Sequence, residues 1–162
     1  MSAYQLQIAI YNALTELATP SLIADFAGDN YELYSARIEE ALAFLNANVV
    51  GVYDNPAQVA DPSDDSAFPF ITISDSTLQP WDTDTERGAD ATVTIHTWSR
   101  ARNALEVKQI QDAVYNVLHR GNLAISGYTF IGSDYLTQTV QRDPDGITRH
   151  GVQDFKIVFE EA

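Results

Sequence analysis

Apolar residues recur at helical spacing at the start of the chain. Ala3, Leu6, Ile10, Ala13, Leu14 and Leu17 fall on one stripe running to about Ala18. Ser2, three residues before Gln5, has the capping-box pattern that starts a helix, and Pro20 stops it. A second amphipathic segment runs from about Asn30 to Asn46. Tyr34, Ile38, Ala41, Leu42 and Leu45 line its apolar side, Glu32, Glu39 and Glu40 fall largely elsewhere, and Asp29 or Asn30 suits its N-cap.

The pattern then changes period. VVGVYDNP reads as a short strand ending at the Asp54-Asn55-Pro56 turn, and residues 57–67 as an acidic surface loop. FPFITIS is aromatic and β-branched, as a strand requires. Residues 76–89 are expected to form a second long loop holding Trp81. In ATVTIHTWS, Val93, Ile95 and Thr97 fall on one face and Thr94, His96 and Trp98 on the other; Trp98 is expected in the core. From Asn103 to His119, Val107, Ile110, Val114, Val117 and Leu118 step by threes and fours, which predicts a helix capped by Gly121. A short apolar stretch around Tyr128–Ile131 precedes a long strand near Asp134–Arg142. The Asp143-Pro144-Asp145-Gly146 turn then leads into a strand with Phe155, Ile157 and Phe159 on one face. Strands grouped with helices, without repeated βα units, predict an α+β fold: a mostly antiparallel sheet packed against two or three helices, with a long C-terminal β-hairpin. No internal repeat occurs.

At 162 residues and 45% apolar, the chain is the size of one domain, 1–162, with an extra helical segment at about 20–48. Its apolar runs are too short to span a bilayer, and the N-terminus lacks the basic and apolar regions of a signal peptide. Cysteine is absent, which removes disulfides and thiolate metal sites. The expected setting is the cytoplasm or an assembly built there, with no membrane. The net charge of −14 is uneven: residues 1–86 hold fourteen acids and the single base Arg37, while residues 87–162 hold nine acids and eight bases. Such a surface repels a phosphate backbone, and the simplest consequence of the acidity is solubility.

The candidate chemistry does not assemble into a reaction. Asp82-x-Asp84-x-Glu86 resembles the start of a calcium loop, but Arg87 and Val93 stand where such a loop needs its turn glycine and its bidentate glutamate. Asp61, Asp64 and Asp65 form a second acidic cluster, also read as solvated. His96, His119 and His150 have no partner at ligand spacing, and His119 beside Arg120 suits a helix C-terminus. No nucleophile elbow, phosphate loop or dinucleotide fingerprint is present. No metal, cofactor or catalytic residue is assigned. A stacking platform for bases made by Trp81, Trp98 and Tyr128 would need basic neighbours that the acidic half lacks. In a loop, Trp81 instead suits a protein contact.

Taken in order, LQIAIYNALTEL, GVYDNP, FPFITISDS, the Trp81 loop, ATVTIHTWSR, the Ile110–Leu118 helix and RDPDGITRHGVQDFKIVF resemble the tail-completion, or tail-terminator, family of long-tailed bacteriophages, prophages and gene-transfer agents. Residues 20–48 are longer than the link that the family pattern leads one to expect. The resemblance implies a structural virion protein that forms a ring, expected to be a hexamer. Such a ring caps the tail tube and joins it to the head-side connector or stopper, and genomic DNA passes through without specific binding. An acidic bore would suit that passage. The loops 54–67 and 76–90 become the expected contact regions, with Trp81, Asp54 and Asn55 as interface residues. Asp61, Asp64, Asp65, Asp82, Asp84 and Glu86 are expected at the bore or facing a neighbouring ring. The readings left beside this one are another neck or head-closure component and a soluble protein-binding module; the residues offer no support for an enzyme.

Overall fold

The computed structural model describes residues 2–15, 31–54 and 64–162. Among these residues, three helices, α1 (Ala3–Thr15), α2 (Tyr31–Asn48) and α3 (Leu105–Leu118), pack together with a six-stranded sheet. Its strands are β1 (Gly51–Tyr53), β2 (Phe70–Ile73), β3 (Thr77–Pro80), β4 (Gly88–Ser99), β5 (Tyr128–Arg142) and β6 (Arg149–Glu161). The order is β1-β2-β4-β6-β5, with β3 beside β4 below β2. Every pairing is antiparallel except β1 with β2. The fold is α+β, as expected, and closes with the long β5–β6 hairpin.

The predicted faces account for the packing. Ser2 caps α1, its hydroxyl accepting the Gln5 N–H at 3.3 Å, and Leu6, Ile10 and Leu14 are buried while Ala3 is exposed. Residues 16–30, which include Leu17 and Pro20, lie outside the described residues. On α2, Ala41, Leu42 and Leu45 are buried, mainly against α3. All five predicted apolar positions of α3 are buried. Ile110, Val114, Val117 and Leu118 join Val93, Ile95, Phe155, Ile157 and Phe159 of the inner sheet face in one core cluster.

Two expectations change with the pairing. Residues 76–89 are not one loop: Thr77–Pro80 adds to β4 as a short strand, leaving a turn only from Trp81 to Arg87. The stretch near Tyr128 and the strand after it are a single 15-residue strand, with register breaks around Ile131 and Leu136 that leave both side chains exposed. Such bulges bend a strand and interrupt its regular ladder.

Helix α3 ends differently from the sequence expectation. Arg120, not Gly121, takes the left-handed conformation, at φ 53°. Gly121 is required for space, because a Cβ there would lie 2.2 Å from the Val117 carbonyl oxygen.

A polar layer sits inside the core at the Ser99 end of β4. Gln111 and Gln153 are both fully buried. The Gln153 side-chain N–H group donates to the Gln111 carbonyl at 3.0 Å, and the Gln111 amide donates to the Thr139 carbonyl at 3.0 Å. Helix α3 is thereby tied to the edge strand β5 as well as packed on it. Gly151 makes room: a Cβ there would lie 2.7 Å from the Gln111 amide nitrogen and 2.8 Å from Val107.

Candidate assembly interface

The turn between β3 and β4 holds four of the nine predicted contact residues, Trp81, Asp82, Asp84 and Glu86. Its ends are closed by the Trp81 N–H donating to the Gly88 carbonyl at 2.9 Å and by the Gly88 N–H donating to an Asp82 carboxylate oxygen at 3.1 Å. Inside it, the Glu86 N–H donates to the Thr83 hydroxyl at 3.0 Å. Trp81 lies over Gly88, where a Cβ would stand 2.4 Å from the Trp81 carbonyl oxygen and 2.8 Å from its ring. Its side chain nonetheless leaves the residue 41% exposed. Asp82, Asp84 and Glu86 are all exposed around it.

The second acidic group does not join the first. Asp64 accepts the Ser66 N–H at 2.8 Å and starts a single turn of 3-10 helix, Asp65–Ala67. Asp65 pairs with Arg100 at 2.9 Å, just past the far end of β4. A 12-residue strand separates the two groups, which at ~3.3 Å per residue is roughly 35 Å. Asp54 accepts from the Gln7 amide and so sits against α1. Asn55 and Asp61 lie outside the described residues.

Trp98 is not in the core. It shares the outer face of β4 with His96 and stacks on His150 of β6, ring centroids 3.9 Å apart and planes within 9°. Alternation explains this directly, since Trp98 has the parity of Thr94 and His96, opposite to buried Val93, Ile95 and Thr97. Phe70 extends the stack on the other side, and the Trp98 indole N–H donates to Thr72 at 3.2 Å. The Gln141 amide donates to His150 Nδ1 at 3.3 Å, so His150 Nε2 carries the proton that it donates to His96 Nδ1, 2.7 Å away. This juxtaposition needs the β4–β6 register and has no local signature. A different signal was open to reading: Tyr4, Ile8 and Tyr11, at i, i+4 and i+7, form an exposed second stripe on α1 beside Val52 and Tyr53.

Burial holds His96 below its ordinary pKa against the pull of Asp154; burial and then His96 hold His150 down, against Asp143. His119 is lowered too, by burial and then Arg120, against Asp134, and its Nδ1 accepts the Tyr135 N–H at 2.9 Å. It is a neutral acceptor, not the dipole-stabilised cation that its helix-end position suggested. A histidine that titrates lower when folded weakens the fold on acidification, because the unfolded chain then takes up protons that the folded chain resists. The histidine contribution should be intact above about pH 7 and fall as pH drops below about 6.5 toward the folded values. Denaturant titrations at pH 7.5 and 5.5 check this, and a His96→Gln, His150→Gln double variant should lose less stability between the two pH values than the parent.

The sequence profile of the tail completion protein gp17 family matches residues 40–160, well over half of the chain. The chain belongs to this family. The tail completion protein gp17 of Bacillus phage SPP1 is 30% identical over 91 residues, which cover 56% of this chain and 67% of that protein. In the virion of a native gene transfer agent particle, one chain superposes with a TM-score of 0.58 at 18% identity, over 88% of this chain and 95% of that one, and so shares the fold. The structure of bacteriophage SPP1 gp17 covers 78% of this chain and 85% of its own, at 22% identity and a TM-score of 0.45. Membership makes this protein a structural component of a phage tail, carried in the virion. Among the described residues, no helix is long and apolar enough to cross a membrane.

Proposed function

We propose that the protein is a ring-forming tail terminator: it caps the finished tail tube and joins it to the connector or stopper on the head side. The match of residues 40–160 to a tail completion family carries this reading. The sheet supports it physically, because among the described residues β3 and β5 have no further strand on their outer edges, and a ring closes by setting one kind of flank against the other. The ring is expected to be a hexamer, with genomic DNA passing through it unbound. Asp61, Asp64, Asp65, Asp82, Asp84 and Glu86 belong to the bore or to contacts that the ring makes, and Trp81, Asp54 and Asn55 to its interfaces. Because the two acidic groups of the described residues lie at opposite ends of β4, they serve different faces of the ring. The chain is taken as one domain, with the segment at 20–48 as its own addition. No reaction, metal or cofactor is assigned to it.

Deleting the gene tests the reading. Electron micrographs should show filled heads beside unjoined or overlong tails. Leaking heads with tails of normal length would overturn it in favour of a head-closure role, and normal joined particles would overturn both.

A further inference from the structure

Arg37 is the only base in the first 86 residues, and the fold brings it beside Arg120. Together with Ile38, Tyr115, Asn116 and His119 they line a cleft of about 180 Å³ between α2 and α3. Arg37 is exposed and has no ion pair among the described residues. Arg120 reaches Asp134 only at 4.0 Å, with both side chains largely in solvent. Its left-handed backbone, with its N–H donating to the Ser133 carbonyl at 2.7 Å, turns the residue out at the β5 flank of the sheet. His119 uses Nδ1 as an acceptor, so its Nε2–H remains as a donor. In a chain of net charge −14, two guanidiniums and a donor imidazole are gathered at one cleft, with Asp134 facing Arg120 and His119 from β5.

We infer that this cleft is a carboxylate-binding site, and that its ligand is the Asp82–Glu86 turn of a second copy of this chain. The inference rests on the ring proposed above and names one of its contacts. Charge complementarity selects the occupant: the β3 side of the subunit offers three exposed carboxylates around a half-exposed Trp81, and the β5 side offers the two arginines. Apolar surface matches as well, since the bulged Ile131 and Leu136 flank the receiving side as Trp81 does the donating one. Both features lie toward the Gly88 end of β4. Arg120 is tied to Ser133, which is level with Ile157 and Ala91, three residues from Gly88, so the two features lie in the same half of a ring whose neighbours meet flank to flank. Glu86 also lies against Glu160, whose carboxyl is raised above the ordinary range by burial, then by its hydrogen bond to Glu86 and by the charge of Glu86. Arginine suits the task because its planar fork meets carboxylates in two-point contacts.

The absence of native cysteine makes the contact directly measurable. A Thr85→Cys, Asn116→Cys variant keeps every charge in both partners. The free subunit, oxidised in dilute solution, should gain no internal disulfide between the two positions. On tail tubes, oxidation should yield a ladder of covalent oligomers ending at the closed ring, and each single-cysteine variant should not. Arg37→Glu with Arg120→Glu should raise the concentration needed for assembly by roughly tenfold or more. Asp84→Arg with Glu86→Arg on that background, which leaves the Asp82–Gly88 bond in place, should restore much of it. Rings that form normally but give no ladder would overturn this contact and leave the tail-terminator reading standing. No ring on the tube under any condition would overturn both.

Discussion

Replacing Phe155 by alanine should lower folding stability by about 3–5 kcal/mol, the range for emptying a fully buried aromatic site. Phe155 is 0% exposed, at the middle of β6, with Val93 opposite it on β4 and Tyr135 on β5. Its ring meets Tyr135 edge to face, centroids 6.1 Å apart at 72°. The loss therefore combines burial, a cavity and an aromatic contact. The site cannot readily collapse, because the strands on both sides of β6 are fixed in register by their own ladders. A domain of this size holds some 5–15 kcal/mol in total, so the variant should melt roughly 10–15 °C lower. Ile147 is the control: equally apolar but 65% exposed at the hairpin tip, its alanine variant should stay within about 0.5 kcal/mol of the parent. Calorimetry on the two variants checks both statements. Equal effects would mean that β6 is not the centre of the core.

Elements whose faces follow from a single period were legible in the sequence. Helix α3 and the inner side of β6 are examples, because burial on one face imposes spacing that any reader can find. β3 was not. Thr-Leu-Gln-Pro shows no clear alternation and ends in proline, and it becomes a strand only because β4 offers it a partner below β2. Trp98 misled for the opposite reason, since hydrophobicity pointed inward while alternation pointed out. At a sheet position alternation wins, because it is imposed by the backbone.

The candidate site divides along the same line. Trp81, Asp82, Asp84 and Glu86 are neighbours in sequence and were visible as a group. Asp64 and Asp65 looked like part of the same acidic face until the length of β4 separated them. Arg37 and Arg120, like His96 and His150, come from distant segments and are united only by helix packing or strand register. Contacts of that kind have no local pattern.

Trp81→Ala is where the largest functional effect is expected. The side chain contributes little to folding, because nearly half of the residue is in solvent and the turn is closed by backbone bonds that alanine keeps. Stability should change by less than about 1 kcal/mol. An aromatic anchor at the centre of a contact is different: truncation commonly costs 2 kcal/mol or more, roughly thirtyfold or greater in affinity at each interface. A closed ring repeats that loss at every contact, so joined particles should be nearly absent while the purified subunit melts like the parent. Gly88→Ala offers a second route to the same surface. Its methyl group would press on the Trp81 carbonyl, which is backbone and cannot swing aside, so Trp81 must be displaced although its side chain is intact. If presentation of Trp81 matters, both variants should fail to join tails to heads in complementation assays. Normal joining by Trp81→Ala would remove Trp81 from the interface, and failure of Gly88→Ala alone would then point to the carboxylates of the displaced turn.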